Sequence, residues 1–528
     1  MRISPSALAG SLRSSPIRSL GFLLLAAVAA YKAAGYVISG DMTGLAFVVM
    51  AFVGGAFVIS MLNDWRRAVY FFLTWLLFED FARKYLGNNM AIYFAKDFLV
   101  FVVYLSFFLA YRRKQVFSFR PPFLVPLLLF VWFGVMQVFN PASTHLSYGI
   151  LGFKLFFYYM PLLLVGYALI NSEAELRRFC FVNLALAAVI VSLGIAQAIL
   201  GHTFLNPGTL AEDIRDLSTI YRVSPISGAI LYRPNSVFVS TGRFGNFLMV
   251  SWLLVFGFSG YLLLRHKRGR AFAFVVLALT AAALVLCSSR GVVLWCSGSA
   301  IVGSIAFLWG APWREREVMR VLRTVQRAVA GVVLGLVLLF FFFPEALLSR
   351  VAFYTETLDP RSSASELQNR TWDYPLANFL GAFSYPRWPY GYGIGTTSLG
   401  TQYVARFFNA KPPVVGVESG FGTLVVEMGI GGLVLWLLMS FTILFSAWRV
   451  VKKLKGSPWF PIAFVIFWYA GLLLIPITFT GLAAYEDFVL NAYLWLLLGV
   501  LFRLPTLAVS AQFATIQAGL APQRFAVR

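Results

Sequence analysis

The chain has 528 residues, 60 % hydrophobic and 12 % charged, with a mean hydropathy of +0.79 and a formal charge of +22. A soluble domain carries roughly 45–50 % apolar and about 25 % charged residues, so a soluble globular protein, a disordered chain and a collagen-like one are excluded. A polytopic membrane protein remains. Cys180, Cys287 and Cys296 sit in apolar runs at no metal-like or disulfide-like spacing, which excludes a disulfide scaffold and a structural zinc site.

Apolar runs near the roughly 17–25 residues that cross a bilayer predict about 14 transmembrane helices. They cover 19–38, 44–62, 68–78, 92–110, 122–139, 150–170, 179–200, 243–264, 271–288, 291–309, 326–343, 419–446, 459–478 and 485–502. The third is short and ends at Glu79 and Asp80, and Ser288-Ser289-Arg290-Gly291 divides the ninth from the tenth. The first continues past Lys32 to Ile38, which favours a retained span over a cleaved signal peptide. When alternate loops, beginning with the N-terminus, are taken as cytoplasmic, they hold the entire excess of +22, and the remainder balances. This is the positive-inside pattern. It places both termini in the cytoplasm, explains the basic charge by topology and lipid headgroups, and leaves no need for nucleic acid.

The expected organisation is then residues 1–343 with eleven spans, 344–417 as a large outer loop, 418–502 with three spans and 503–528 as a cytoplasmic tail. A second outer segment covers about 201–242. Loops beyond about 15 residues usually serve a function. The large one is expected to hold helical stretches near 365–382 and 398–408, separated by the turn-rich Ser384–Gly395 stretch. Trp372, Trp388, Tyr390 and Tyr392 are ring types that stack on sugars, and neighbouring arginines suit phosphates. The same segment also fits a structured cap over the bundle.

Charges within or beside spans are costly and become functional candidates. Lys96-Asp97 is expected to pair internally or with Glu79 or Arg83, and Lys154 to snorkel outward or face an anion. Arg290 follows two serines and precedes a glycine at the outer start of a helix, where anions are favoured. It suits a phosphate, or else a salt bridge across the helix hairpin. Arg243 opens another span from outside, with Arg222 and Arg233 upstream in the same loop. Together these arginines suggest a lipid-linked diphosphate. Glu418 opens the helix after the large loop, as a general base or as an acid stabilising a helix N-terminus. Glu427 lies 2.5 turns, about 13.5 Å, further on. In an unbroken helix it points to the opposite face. There is no Walker A loop, no H-E-x-x-H and no D-x-D, and His145, His202 and His266 lack metal spacing.

In their order, these pieces resemble the bacterial O-antigen ligase and Wzy-type polysaccharide polymerase superfamily over roughly residues 75–445. Phe78-Glu79-Asp80-Phe81-Ala82-Arg83-Lys84 with Lys96-Asp97 is similar to a Glu-Gly-x-x-Arg-Lys … Lys-Asp signature, with Asp80 where glycine is usual. Ser288-Ser289-Arg290-Gly291 resembles the Ser-Arg-Gly element at a helix start. Arg370-x-Trp372, the Pro389–Gly395 stretch, Glu418 and Glu427-x-Gly429-x-x-Gly432 follow. The resemblance implies an all-α fold related to the GT-C glycosyltransferases in the bacterial inner membrane. It implies metal-independent, cofactor-free glycan transfer from undecaprenyl diphosphate on the periplasmic face. Expected partners are lipid-linked oligosaccharides, membrane lipids, and the flippase and chain-length regulator of the same pathway. Ligases carry a histidine where this chain has Glu418, which favours a polymerase over a ligase acting on lipid A-core. Outside the enzyme class, the alternative is a lipid-linked oligosaccharide flippase. The expected roles are Glu418 as base, Arg290 and Arg243 on the diphosphate with Arg222, Arg233 and Arg370 in reserve, and the loop aromatics on sugar.

Overall fold

A computed structural model describes residues 57–86, 90–116, 118–207, 220–265, 268–312, 340–398, 416–481 and 485–520, with isolated positions within 31–55, 330–337 and 401–405. The chain divides into two units at Val69/Tyr70. The second is a helical, membrane-embedded body. Its elements begin with α1 (Trp65–Leu86, which straddles the division), α2 (Met90–Arg112), α3 (Leu124–Val138), α4 (Leu146–Phe157), α5 (Leu162–Leu169) and α6 (Glu173–Leu200). A hairpin of β1 (Tyr221–Val223) and β2 (Ile230–Tyr232) leads to α7 (Thr241–Arg265), α8 (Arg270–Leu286) and α9 (Arg290–Gly310). After α10 (Pro344–Leu358) and α11 (Tyr374–Gly381) come α12 (Gly420–Lys453), α13 (Phe460–Leu472) and α14 (Phe488–Leu520). Among the described residues eight helical stretches are long and apolar enough to cross a membrane.

Several expectations need correction. Glu79 and Asp80 do not end the third stretch, because α1 runs on to Leu86. Both carboxylates are buried and ion-paired within the bundle, so they need not leave the helix for water. The 150–170 stretch corresponds to one membrane-crossing stretch, Leu146–Leu169, as expected, but that stretch is broken ahead of Pro161 into two helices. The carbonyls of Leu155 and Tyr158 beside the break accept from Asn491 Nδ2 (3.0 Å) and the Tyr104 hydroxyl (2.6 Å), which meets the membrane's demand that backbone polar groups be satisfied internally. In the large loop the helical stretch expected near 365–382 is present and includes α11, but the loop does not begin as coil. It opens with α10, whose Pro344 stands in the first turn, where a missing N–H costs nothing. At the other end, α14 carries the expected tail region as helix to Leu520. The body is helical as expected of an all-α membrane protein, with one short hairpin whose register pairs Arg222 with Leu231. The 326–343 span and the 398–408 helix lie mostly outside the described residues, as do 19–38 and most of 44–62.

Helix contact depends on small residues, as is usual in lipid. α5 and α14 cross so closely that a Cβ on Gly166 would lie 2.1 Å from the Leu496 carbonyl oxygen, and one on Gly499 would lie 2.2 Å from that of Leu163. Buried polar groups also pair within the bundle: Tyr493 of α14 donates to Asn183 Oδ1 of α6 (2.7 Å), and Trp495 donates one turn back along α14 to Asn491 Oδ1 (2.9 Å).

Candidate functional site

The short turn between α8 and α9 creates the site. Ser288 has a left-handed φ of +52°, a conformation that costs a non-glycine residue roughly 1–2 kcal/mol. It turns the chain sharply enough for α9 to begin at Arg290. Ser289 stands at the N-cap position without a side-chain capping bond, so the first N–H groups of α9 keep their capacity for an acceptor. Beside this terminus lies a cavity of about 620 Å³. Arg222, Arg290, Glu366 and Arg370 line its polar end, with Ser288 and Ser289. Its wall follows one face of α9 through Gly291, Leu294, Trp295, Gly298 and Val302, against Trp468, Leu472 and Pro476 of α13 and its extension. These positions recur at helical spacing. From Arg290 to Val302 the wall descends about 18 Å. The cavity is therefore charged at its head and apolar along its shaft.

Other elements hold the head in place. Arg350 of α10 is 3 % exposed and donates to the carbonyls of Leu286 at the end of α8 (3.2 Å) and Tyr232 of β2 (3.0 Å). It ties the Ser288 turn to the hairpin that carries Arg222. Glu356 of the same helix accepts from the backbone N–H groups of Ile226 and Ser227 at the hairpin tip (2.9 and 3.2 Å). Arg290 Nη1 reaches Glu366 Oε1 at 2.8 Å, and Arg370 Nε reaches Glu366 Oε2 at 3.2 Å. Burial alone would raise the Glu366 carboxyl, but Arg290 and then Arg370 hold it below its usual range. Arg222 makes no ion pair or side-chain hydrogen bond among the described residues. Burial, and then the charges of Arg290 and Arg370, lower its guanidinium. Two arginines thus share one carboxylate at the cavity head, and a third, Arg222, lines the head without an ion pair among the described residues.

The remaining expected residues are distributed around this cavity. Glu418 is exposed, one residue ahead of the α12 N-cap, and does not line the cavity. It is joined to it through Tyr374, whose hydroxyl donates to Glu418 Oε2 and whose ring lies 5.3 Å from the Arg370 guanidinium carbon. The bond to Glu418 raises the Tyr374 phenol above its usual value. Arg233, at the end of the hairpin, is buried outside the cavity lining, and burial, then Arg222, bring it down to about 10. Arg243 is bound by both oxygens of Asp80, at 2.7 and 2.8 Å. Asp80 also takes Arg83 (3.1 Å), Glu79 takes Lys96 (3.1 Å) and Asp97 takes Lys154 (2.5 Å). Of the pairings open for Lys96, the structure has the one with Glu79. Lys154 faces a carboxylate of this chain.

The aromatics divide by their backbone. The Pro389–Gly395 stretch forms a main-chain joint with a broken α12. Gly429 has φ +72° and ψ −176°, and a Cβ there would lie 2.4 Å from the Pro389 carbonyl oxygen. The freed carbonyls of Val426, Glu427 and Met428 accept from Tyr392 N (2.8 Å), Gly393 N (2.9 Å) and Gln137 Nε2 (3.4 Å). Glu427 is buried in this joint and accepts from Thr397 N and Oγ1 (2.9 and 2.7 Å). The glycines here allow a backbone to enter a helix. Rings of Trp372, Phe479, Phe379, Phe383 and Trp388 form a continuous row, with neighbouring centroids 5.3–6.3 Å apart. Tyr392 sits edge-on to Tyr385, and Tyr390 is 79 % exposed. Sequence reasoning missed Glu366, Arg350 and Tyr374. Of these, Glu366 carried the one available signal, an (i, i+4) spacing to Arg370. No protein-family model matches the chain, and no curated protein matches its sequence.

Proposed function

We propose that this protein is a glycosyltransferase of the polysaccharide-polymerase type, using a glycan linked to undecaprenyl diphosphate as donor and another lipid-linked repeat as acceptor. The observation that carries the reading is the form of the cavity. Arginines at its head suit a diphosphate, and the apolar shaft between α9 and α13 suits the polyprenyl chain. The acceptor hydroxyl attacks the anomeric carbon, and the bond from that carbon to the diphosphate oxygen breaks with its electron pair on the oxygen. Glu418 takes the hydroxyl proton. Arg290, Arg222 and Arg370 face the charge that develops on the leaving group, which is often the largest catalytic contribution. A diphosphate leaves well without a metal. Arg243 and Arg233 stand behind this site, Arg243 already neutralised by Asp80. Trp372 and Trp388 mark the ends of a ring row suited to sugar.

The same reading places the protein in a bacterial inner membrane, with 14 spans, a GT-C-related fold, cytoplasmic termini and the 344–417 segment in the periplasm. The sequence resemblance to the O-antigen ligase and Wzy-type superfamily, with Glu418 in the ligase histidine's place, favours a polymerase. The test is incubation of the purified protein with a defined undecaprenyl-diphosphate oligosaccharide. A ladder of products is expected. A single transfer only to lipid A-core would make it a ligase, and lipid translocation without any new glycosidic bond would make it a transporter.

A further inference from the structure

The cavity head has an internal anion, and its charge count is informative. Among the described residues Glu366 is the one carboxylate lining the cavity, against Arg222, Arg290 and Arg370. Each of its oxygens meets a different arginine. Its backbone is fixed on both sides: Glu366 N donates to the Thr357 carbonyl (3.0 Å), and its own carbonyl accepts from Arg370 N (2.9 Å). The carboxylate is therefore held between two of the arginines that would take a phosphate. The resulting net charge at the head is +2.

We propose that Glu366 is a specificity-determining counter-anion that matches the cavity head to a lipid diphosphate diester and limits its retention of the diphosphate monoester left after transfer. This rests on the reading of the cavity as a diphosphate site. A diester of diphosphate has two ionised groups and a charge of −2. When the bond to the anomeric carbon breaks, the terminal phosphate keeps the oxygen and gains a third ionisation. Phosphate monoesters have this ionisation near pH 6, so the spent carrier lies close to −3 at neutral pH. Three uncompensated arginines would hold the product more tightly than the substrate, and turnover would stall on release. Glu366 removes one positive charge from that balance and competes with the product for Arg290 and Arg370.

The test compares binding of undecaprenyl diphosphate and its terminal methyl ester to full-length protein in detergent. The two probes differ by one charge and carry no sugar. Glu366→Gln is expected to tighten both, and the unesterified probe roughly tenfold more than the ester, after allowance for solvent screening. With a natural donor, this variant should show a rapid first turnover followed by a slower steady state. Glu366→Asp, which keeps the charge, should keep the wild-type ratio of affinities. So should Glu366→Gln combined with Arg222→Gln, which restores +2. An unchanged ratio in a folded Glu366→Gln protein that binds both probes overturns the proposal while leaving the diphosphate site standing. A wild-type protein that binds neither probe overturns the diphosphate reading itself, and this proposal with it.

Discussion

Around α1 four cations, Arg83, Lys96, Lys154 and Arg243, pair with three carboxylates, Glu79, Asp80 and Asp97, and a fifth, the buried Lys84, donates to the Ser236 carbonyl (2.6 Å). At the start of α9 two arginines, Arg290 and Arg370, pair with one carboxylate, Glu366, and a third, Arg222, lines the same cavity. Both groups consist of charges at membrane depth or at its edge, and composition alone ranks them equally as sites. They differ in compensation and in space. The first group is packed against protein, with Glu79 and Lys96 almost fully buried (0 and 2 % exposed). The second opens on a cavity of about 620 Å³. A buried cation with its own carboxylate is accounted for by folding. A group of cations with fewer carboxylates beside a cavity suits an anion, which is the reading proposed above.

The two clusters are expected to respond differently to substitution. The largest effect is expected on turnover. Glu418→Gln should lower the single-turnover rate by roughly 10²–10⁴ while donor affinity and melting temperature stay near wild type, because Glu418 is exposed and outside the cavity. Wild-type turnover in this variant would remove Glu418 from the chemistry. In the compensated cluster the effect should fall on stability. Lys96→Met leaves Glu79 buried and uncompensated, at a cost of about 3–5 kcal/mol, read as a lower melting temperature and poorer membrane yield. Adding Glu79→Gln should restore most of it without changing donor affinity. If the double variant folds but no longer binds donor, the cluster belongs to the site and the comparison fails. Smaller still is Gly298→Leu. A Cβ there meets nothing within 4 Å, so the side chain enters the shaft. Binding of a long-chain donor should weaken by about 1–3 kcal/mol, and a short-chain diphosphate should be unaffected. Equal loss for both chain lengths would move the lipid tail elsewhere.

Much of this was legible from local sequence. Arg290 announced itself because two serines, an arginine and a glycine between two apolar runs can hardly be anything but a sharp helix junction. Most helix positions followed from apolar run length. The break at Pro161 did not, since the run is apolar throughout and its solution lies in Asn491 and Tyr104, far away in the chain. Glu79 and Asp80 were misread as a helix end because their partners Lys96 and Arg243 belong to other helices. The hairpin escaped because each strand is only three residues long. Glu366 stands 76 positions after Arg290 and pairs with it only through the folding of α10 back over the cavity. The Pro389–Gly395 stretch was legible as a turn but not as a joint, because nothing local indicates that α12 opens at Gly429 to receive it.

The proposal is that the arginines at the cavity head bind the donor's diphosphate. It is tested most directly by donor affinity in Arg290→Ala, measured with a defined undecaprenyl-diphosphate oligosaccharide beside the neutral exchange Arg243→Gln/Asp80→Asn. A charge-assisted hydrogen bond is worth about 1.5–3 kcal/mol, so Arg290→Ala should weaken binding roughly 10- to 150-fold. Arg290→Lys should recover only part of this, for want of the planar fork, and the Arg243/Asp80 exchange should leave affinity near wild type. Unchanged affinity in a well-inserted Arg290→Ala protein would contradict the account.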